Sequence, residues 1–328
     1  MPITSANLTP PFTIIRLSHL ELGVTDLERS RAFYVDTLGL TETNVTKDAL
    51  YLRGLEERNH HSIILTRSET PVCRRLAYKV GSEEDLDKAE AFFQERNLEP
   101  RWIKRHAQGR TLAVRDPFGV PLEFYYQMNQ VERRLQHYGE YQGAQIMRID
   151  HFNLFAADLQ STHDFYAGEL GFRTTEYTET EGDDPKLWAV WMHRKGNVHD
   201  LALTNGRGPR LHHIGVWVPT AMNIIHCCDV LATTGYVGAL ERGPGRHGIS
   251  NAFFLYIRDP DGHRIELFTS DYLTVDPDFE PIRWTLNDPQ RQTLWGAPAP
   301  KSWFEEGTPF AGVEVKEPVL AERPVVAV

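Results

Sequence analysis

The chain has 328 residues, of which 41% are hydrophobic and 24% are charged, and this suits a globular protein with two domains of about 150 residues each. Its formal net charge of −10 argues against nucleic acid or an anionic membrane surface as a main partner. No stretch approaches the roughly 18 apolar residues of a membrane span and no basic segment precedes an apolar run, so we expect a cytoplasmic protein.

The first half is predicted to contain two units, each with a strand, a helix and then further strands. Alternating apolar and polar residues indicate the strands, while Asp26 and Gly39 are start and stop signals of the first helix. The predicted strands are residues 18–24, 49–52, 62–65, 76–80, 111–115 and 120–126, and the predicted helices are residues 27–37 and 83–96. Residues 128–147 are expected to connect the two halves.

The second half repeats this order of elements. Its predicted strands are residues 149–155, 187–192, 200–204, 212–218, 252–258 and 263–269, and its predicted helices are residues 160–169 and 220–233. Two segments are expected to be loops, the acidic run at residues 176–184 and the glycine-rich run at residues 242–247.

Beyond about residue 271 the periodic pattern ends. Prolines in this segment argue against regular elements, yet its tryptophans are too apolar for a disordered tail. Residues 271–305 are therefore predicted to be an ordered extension over the second domain, and roughly the last 20 residues to be loosely held. The expected division is an N-terminal domain at 1–145, a C-terminal domain at 146–270 and an extension at 271–328.

The two halves also share residues at matching places, which indicates an internal duplication. The matched pairs are His19 with His151, His61 with His199, Glu123 with Glu266, and the turn Asp116-Pro-Phe-Gly119 with Asp259-Pro-Asp-Gly262. A duplication this regular predicts that each half folds in the same way.

One difference between the copies locates a candidate metal site in the second half. His151, His213 and Glu266 stand on three different predicted strands. Two imidazoles and one carboxylate can bind one face of a metal and leave positions open for substrate and oxygen, as in non-haem Fe(II) sites. In the first half, Arg75 replaces the middle histidine, and its guanidinium cannot be a ligand. The N-terminal domain is therefore expected to be metal-free and the C-terminal domain to be catalytic.

The segment that leads to Glu266 resembles the signature of the extradiol ring-cleavage dioxygenases, which belong to the vicinal oxygen chelate superfamily. It reads Gly245-Arg-His247, seven residues, Leu255-Tyr256-Ile-Arg, Asp259-Pro-Asp-Gly262, three residues and Glu266. The chain is similar to the two-domain class I members from about residue 12 to about residue 305. The resemblance implies an α+β fold of four βαβββ modules in two domains, each a cupped mixed sheet with helices outside.

The resemblance also implies roles for individual residues. One Fe(II) or Mn(II) per subunit would be held by His151, His213 and Glu266, with no organic cofactor. His199 would be an acid/base group, because imidazole gains and loses protons near neutral pH. Tyr256 and His247 would be hydrogen-bonding partners near the substrate. The residues that would line the pocket are Asn153, Trp191, Arg242 and Arg291, and the two arginines would face a substrate carboxylate.

The implied reaction is cleavage of a catechol by O2 in aromatic catabolism. The resemblance points in particular to 3,4-dihydroxyphenylacetate, with 5-carboxymethyl-2-hydroxymuconate semialdehyde as product, and to a homotetramer. Three alternatives stay open: another catechol, a metal-dependent isomerase or lyase of the same superfamily, and a metal-free binding or resistance protein. The intact triad argues against the last, and the residues His199, His247 and Tyr256 argue against the isomerase or lyase. Iron and manganese accept the same ligands, so the sequence does not choose between them.

Overall fold

The structure is a computed structural model that describes residues 2–324. Met1 and residues 325–328, at the ends of the first and third predicted parts, lie outside the described residues. Among residues 2–324, no helix is both long enough and apolar enough to cross a membrane.

The first half of the chain forms one mixed sheet with its helices outside. Its strands are β1 (Ile14–Val24), β2 (Thr41–Val45), β3 (Ala49–Arg53), β4 (Ile63–Arg67), β5 (Val72–Val80), β6 (Arg101–Ile103), β7 (Thr111–Arg115) and β8 (Pro121–Tyr125). Its helices are α1 (Leu27–Arg31), which continues in a π-helical turn at Ala32–Thr37, and α2 (Glu83–Glu95). A short 3-10 turn at Tyr138–Glu140 lies in the segment that leads to the second half.

The second half forms a second mixed sheet in the same way. Its strands are β9 (Arg148–Ala156), β10 (Arg173–Glu179), β11 (Leu187–His193), β12 (Leu201–Asn205), β13 (Arg210–Trp217), β14 (Leu240–Arg246), β15 (Phe253–Arg258) and β16 (Arg264–Thr269). Its helices are α3 (Leu159–Asp164), which continues in a π-helical turn at Phe165–Glu169, and α4 (Ala221–Thr233). The final segment adds β17 (Ile282–Thr285), α5 (Lys301–Glu305) and β18 (Thr308–Pro309), and 3-10 turns lie at Val237–Ala239 and Ile249–Asn251.

The helices begin and end where the sequence signals predict. Asp26 caps α1 by accepting hydrogen bonds from the next turn, and Asp158 caps α3 in the same way. Gly39 and Gly171 follow the two π-helical turns with φ values of 82° and 71°, in the left-handed region that glycine enters without strain. The helix starts and stops are therefore local features of the sequence.

The strand order confirms the predicted fold of four βαβββ modules. The first sheet runs β2-β3-β4-β1-β5-β8-β7-β6, and the second runs β14-β15-β16-β13-β9-β12-β11-β10-β17. In each sheet the first strands of two modules pair antiparallel, β1 with β5 and β9 with β13, so the modules meet at the centre of the sheet. One apolar core continues between the halves, where the ring of Tyr78 contacts the rings of Phe152 and Phe172.

The strands that the sequence analysis missed are the outermost strand of each module, β2, β6, β10 and β14. Three of these lie at a sheet edge, and β10 lies between β11 and the late strand β17. An edge strand buries little of either face, so its residues need not alternate between apolar and polar. The run in β2, Thr-Glu-Thr-Asn-Val, shows this, since none of its residues is fully buried.

Three expectations from the sequence are wrong. The acidic run is a solvent-exposed loop only at residues 181–184, because its first part forms β10 with Glu176 and Glu179 buried at 1% and 3% exposure. The run at 242–247 is mostly strand β14, which twists at two bulges and so loses the strand pattern. The final segment contains regular elements despite its prolines, since β17 pairs with β10 and β18 pairs with β13.

Glu176 is buried because three donors from later segments surround it. The backbone N–H of Ser250, the hydroxyl of Tyr272 and the indole N–H of Trp284 each donate to its carboxylate at 2.6 Å. A buried carboxylate is tolerated when several hydrogen bonds replace its hydration. Glu176 thereby fixes the final segment onto the second sheet.

Candidate metal centre and its cavity

Three neighbouring strands of the second sheet bring the predicted ligands together. His151 on β9 pairs with Gly215 on β13, and Gly215 pairs with Glu266 on β16. His213 precedes Gly215 by two residues on β13, so its side chain points to the same face of the sheet. The three side chains therefore converge above Gly215.

The ligand-type atoms of this triad lie within bonding range of one ion. His151 Nε2 is 2.8 Å from Glu266 Oε2 and 3.3 Å from His213 Nε2, and His213 Nε2 is 3.2 Å from Glu266 Oε2. Three donors bound to one ion at right angles at about 2.1 Å would lie about 3.0 Å apart. All three residues are at least 96% buried, and within residues 2–324 they form the group of His, Cys, Asp or Glu side chains that could hold a metal. The donor set fits Fe(II) or Mn(II).

Electrostatics at the triad favour a bound cation. Burial acts to raise the pKa of the Glu266 carboxyl, but polar contacts with the rings of His151, His213 and His247 outweigh it and hold the pKa well below its usual value. Burial lowers the pKa of His213 to about 4, so this imidazole is neutral and can be a ligand. Burial also acts to lower the pKa of His151, yet the neighbouring carboxylates of Asp150 and Glu266 outweigh it and raise the pKa.

Groups behind the two histidines direct their free nitrogen lone pairs inward. His151 Nδ1 donates to Asp150 Oδ2 at 3.2 Å, which leaves Nε2 free toward the triad. Behind His213, the ring of His212 donates from Nε2 to the carbonyl of Trp303 at 2.8 Å. Neutral His212 then accepts at Nδ1 from His213 Nδ1, 2.6 Å away, so His213 Nε2 also keeps its lone pair. Such outer partners set the tautomer of ligand histidines.

Two of the predicted acid/base and hydrogen-bonding residues touch the Glu266 carboxylate. Tyr256 on β15 donates its hydroxyl to Glu266 Oε1 at 2.6 Å. His247 Nε2 lies 2.9 Å from the same hydroxyl, and its Nδ1 donates to the carbonyl of Gln292. The residues Tyr256 and His247 therefore form a chain from the triad to the final segment.

His199 lies just before β12 with its ring centroid 4.0 Å from that of His151. It is buried at 5% exposure, and its Nδ1 has no hydrogen-bond partner among the described residues. Burial, reinforced by the charge of His151, holds its pKa well below the usual value. A neutral imidazole at this place can accept a proton.

The two predicted arginines line the same cavity and are buried. Arg242 on β14 is 3% exposed and Arg291 in the final segment is 1% exposed. Arg242 donates from Nη2 to Gln292 and Thr293. Among residues 2–324, its Nε and Nη1 have no hydrogen-bond partner, and neither do Nε and Nη2 of Arg291. Burial lowers the pKa of Arg242 to about 10 and that of Arg291 to about 9, so both stay charged at neutral pH.

The remaining predicted residues also face this cavity, which has a volume of about 50 Å3. Asn153 accepts a hydrogen bond from the Thr204 hydroxyl at 3.2 Å, and Trp191 on β11 packs beside Trp188 and Ile249. All ten residues predicted for the site therefore meet around one small enclosed space, with Trp303 of the final segment as part of its wall.

The matching place in the first half is built differently. Arg75 bonds Glu123 at 2.7 Å, and Arg105 also contacts this carboxylate. A groove of about 670 Å3 opens beside these residues. Arg75 and Arg105 are already paired with a carboxylate in this groove, whereas the arginines of the second-half cavity have unpaired donors.

Sequence reasoning missed the groups that position the ligands. Asp150, His212 and Gly215 lie next to the predicted ligands in the chain, and Trp303 is distant from them. The doublet His212-His213 was a usable signal, because histidine ligands need a hydrogen-bond partner on the second nitrogen. No local pattern marks Trp303.

Comparison with known proteins agrees with this geometry. Residues 16–124 and 148–267 each match the family described as the Glyoxalase/Bleomycin resistance protein/Dioxygenase superfamily. A manganese-dependent 2,3-dihydroxybiphenyl 1,2-dioxygenase from Geobacillus genomosp. 3 is 31% identical over 88% of this chain and 95% of that protein. A metapyrocatechase from Geobacillus stearothermophilus is 29% identical over 94% of this chain and 98% of that protein.

A solved structure is similar over nearly the whole chain. It is the anaerobic complex of homoprotocatechuate 2,3-dioxygenase from Brevibacterium fuscum with 3,4-dihydroxyphenylacetate. The TM-score is 0.89 and the sequence identity 42%, with 95% of this chain and 98% of that chain covered.

Proposed function

We propose that this chain, which belongs to the glyoxalase/bleomycin resistance protein/dioxygenase superfamily and is an extradiol ring-cleaving dioxygenase, acts on 3,4-dihydroxyphenylacetate. The ring would be opened by O2 beside the two hydroxyl groups, with 5-carboxymethyl-2-hydroxymuconate semialdehyde as product. His151, His213 and Glu266 would hold one Fe(II) or Mn(II) per subunit, and no organic cofactor takes part.

The observation that carries the substrate proposal is the pair of buried arginines with unused donors. Arg242 and Arg291 place two positive charges in the cavity that the triad lines, and four of their N–H-bearing nitrogens have no partner in the described residues. An unpaired buried charge is costly, so the site is complementary to an anion. The carboxylate of 3,4-dihydroxyphenylacetate would pair with these donors while its hydroxyls face the triad.

The metal, when bound, would take both catechol oxygens and make their protons more acidic. His199 is neutral and beside His151, so it accepts a catechol proton and later returns it to the ring-opened product. Tyr256 donates to an oxygen that gains negative charge during the reaction. Asn153 and Trp191 line the part of the cavity between the arginines and the triad, where the aromatic ring of the substrate would lie.

Enclosure of the cavity contributes to the reaction. Strand β14 and the final segment supply Arg242, Arg291 and Trp303 as a cover over the triad. Excluding water strengthens the ion pair with the substrate and protects reactive species from hydrolysis. The final segment is therefore part of the catalytic site as well as of the fold.

The test compares three substrates on anaerobically metal-loaded protein that is then exposed to air. We expect kcat/KM for 3,4-dihydroxyphenylacetate to exceed that for catechol and for 2,3-dihydroxybiphenyl by about 10- to 100-fold, the effect of one or two charge-assisted hydrogen bonds. A yellow ring-opened product is the readout. Equal kcat/KM values for all three substrates would contradict the assignment of the arginines.

A neutral catechol is the second candidate substrate. The relative from Geobacillus genomosp. 3 is named for 2,3-dihydroxybiphenyl, which carries no carboxylate. A higher kcat/KM for 2,3-dihydroxybiphenyl would favour this candidate.

Metal choice, assembly, location and domain division complete the proposal. The manganese-dependent relative supports Mn(II), while the ligand set suits Fe(II) equally, and metal analysis of protein purified without added metal decides between them.

We assign the chain to the cytoplasm, as a homotetramer in the oxidative breakdown of aromatic compounds. The proposed domain division is 1–145, 146–270 and 271–328. The two separate sheets support its first boundary, while the third part adds β17 and β18 to the second sheet. Gel filtration with light scattering tests the assembly.

A further inference from the structure

Gly215 lies at the centre of the metal-ligand geometry. It stands between His151 and Glu266 in register across β9, β13 and β16. The imidazole of His151 lies directly over the Gly215 Cα, where any other residue would carry its side chain. The space left by the missing side chain is therefore the space in which the ligands meet.

A Cβ atom on Gly215 would collide with the ligand ring. It would lie 2.1 Å from Cε1, 2.3 Å from Nδ1 and 2.4 Å from Nε2 of His151. Contacts this short affect the whole ring rather than the tip of a flexible chain, and Asp150 and Glu266 hold the ring on both sides. The ring would have to leave its position over β13.

The first half contains the same row of residues with one methyl group more. His19 on β1 pairs with Ala77 on β5, and Ala77 pairs with Glu123 on β8. Ala77 is fully buried, so its methyl group occupies the place that is empty beside Gly215.

The ligand-type groups around Ala77 do not converge. His19 Nε2 and Glu123 Oε2 are both buried without a hydrogen-bond partner among the described residues. The His19 ring packs against His61, at 4.9 Å between ring centroids, as His151 packs against His199, and it also packs against Tyr125, at 5.4 Å. The histidine and the carboxylate that match His151 and Glu266 are thus present but apart.

We propose that Gly215 is a positioning residue that lets the three ligands close on one ion, and that Ala77 blocks the same closure in the first half. Two residues then prevent metal binding in that half. Arg75 places a charge where an imidazole is needed, and Ala77 places a methyl group where space is needed. The inference rests on the proposed metal site and adds a residue that touches no metal.

The first test is Mn(II) binding by the Gly215→Ala variant. After removal of metal with a chelator, we expect Mn(II) affinity by titration calorimetry to fall at least about 100-fold, at or beyond the upper range for positioning partners of metal ligands. Near-ultraviolet circular dichroism reports folding without metal. Gly23→Ala, on β1, is the matched control. Its new Cβ would lie 2.8 Å from side-chain atoms of Ser68 and Val72, so it causes similar crowding but away from the proposed metal ligands. This control should bind Mn(II) as the wild type does.

The second test works in the first half and does not depend on the folding of the first variant. Arg75→His with Arg105→Gln removes the guanidiniums that hold Glu123 and supplies the missing imidazole. This variant is expected to bind one Mn(II) per chain, as the wild type, and the same variant with Ala77→Gly to bind a second. Elemental analysis of the dialysed proteins gives the stoichiometry.

A folded Gly215→Ala protein with wild-type Mn(II) affinity would overturn the inference. So would equal Mn(II) content in the first-half variants with and without Ala77→Gly. A wild-type chain that binds neither Mn(II) nor Fe(II) would instead contradict the proposed function itself.

Discussion

The hydroxyl of Tyr34 donates a hydrogen bond to Asp259 Oδ2, 2.9 Å away, and joins the first helix of the N-terminal half to the turn that precedes Glu266. Tyr166 and Asp116 form the matching bond from the second half to the first, also at 2.9 Å. In both turns the other carboxylate oxygen accepts two backbone N–H groups. The two halves are thus held together by a reciprocal pair of tyrosine–aspartate bonds.

Removing either hydroxyl should destabilise the fold. Tyr34→Phe leaves Asp259 Oδ2 buried without its donor, and Tyr166→Phe does the same to Asp116. We expect each change to lower the free energy of unfolding by about 1–3 kcal/mol, measured by urea denaturation. Tyr138→Phe is the control, since its ring is 75% exposed. Unchanged midpoints in both test variants would show that the bonds add nothing to stability.

The metal should depend on His151 and be independent of its first-half counterpart. His151→Ala removes one of three ligands and should reduce bound metal from about one per chain to less than about 0.1, with loss of activity. His19→Ala removes the matching histidine of the first half and should leave both metal content and kcat unchanged. Elemental analysis with an activity assay separates these outcomes, and full metal content in His151→Ala would refute the triad.

His199 should affect the chemical step without affecting metal binding. His199→Gln keeps a polar side chain but removes the proton acceptor, so we expect kcat to fall by about 10²- to 10⁴-fold at full metal content. His61→Gln changes the matching residue of the N-terminal half and should retain wild-type kcat. A His199→Gln enzyme with wild-type kcat would leave His199 only a structural role.

The arginines should determine preference among substrates. Arg242→Gln or Arg291→Gln removes one charged partner of the substrate carboxylate and should lower kcat/KM for 3,4-dihydroxyphenylacetate by about 10- to 100-fold. The value for catechol, which has no carboxylate, should change much less. An equal decrease for both substrates would indicate that these residues support the cavity rather than bind a carboxylate.

Stability should fall in mild acid because of His163. Burial lowers the pKa of this imidazole to about 4, against 6.5 in the unfolded chain. Between those pH values the unfolded state binds the proton more tightly than the folded state. The contribution of His163 to the free energy of unfolding is therefore present in full above about pH 6.5, and up to about 3 kcal/mol of it is lost as the pH falls toward 4. Urea denaturation across this range should show a smaller pH effect in His163→Gln than in the wild type. In His226→Gln, a change on the exposed side of α4, the His163 contribution should remain in full.

Regular alternation and duplication were sufficient to predict most of the fold. Strands β1, β9 and β13 each bury one or both faces, so their apolar residues stand out in the sequence. The edge strands β2, β6 and β14 could not be found in this way, because pairing at an edge depends on the backbone and not on which side chains are buried. Glu176 was misread for a related reason, since its three donors come from segments that begin 74 residues or more beyond it.

The candidate site shows the same division. His151, His213 and Glu266 were recognisable because ligand type and repeat register are both carried by residue order. The tautomer of His213 was not recognisable from the sequence, because it depends on His212 and on the carbonyl of Trp303, which lies 91 residues from His212 in the chain. The loop predicted around Arg242 proved to be a strand, yet the side chain still reaches the cavity because β14 borders β15.

By itself, the sequence determined the four modules, the half that can hold a metal and the residue types of the site, because each of these is a pattern of neighbours or of repeats along the chain. The tertiary structure alone decided how closely the ligands approach, which nitrogen of each histidine is free and where the two unpaired arginines lie. Those properties arise from contacts between residues far apart in the chain. The gap over Gly215 is the plainest example, since a glycine in a strand has no visible purpose until the His151 ring is seen to fill its place.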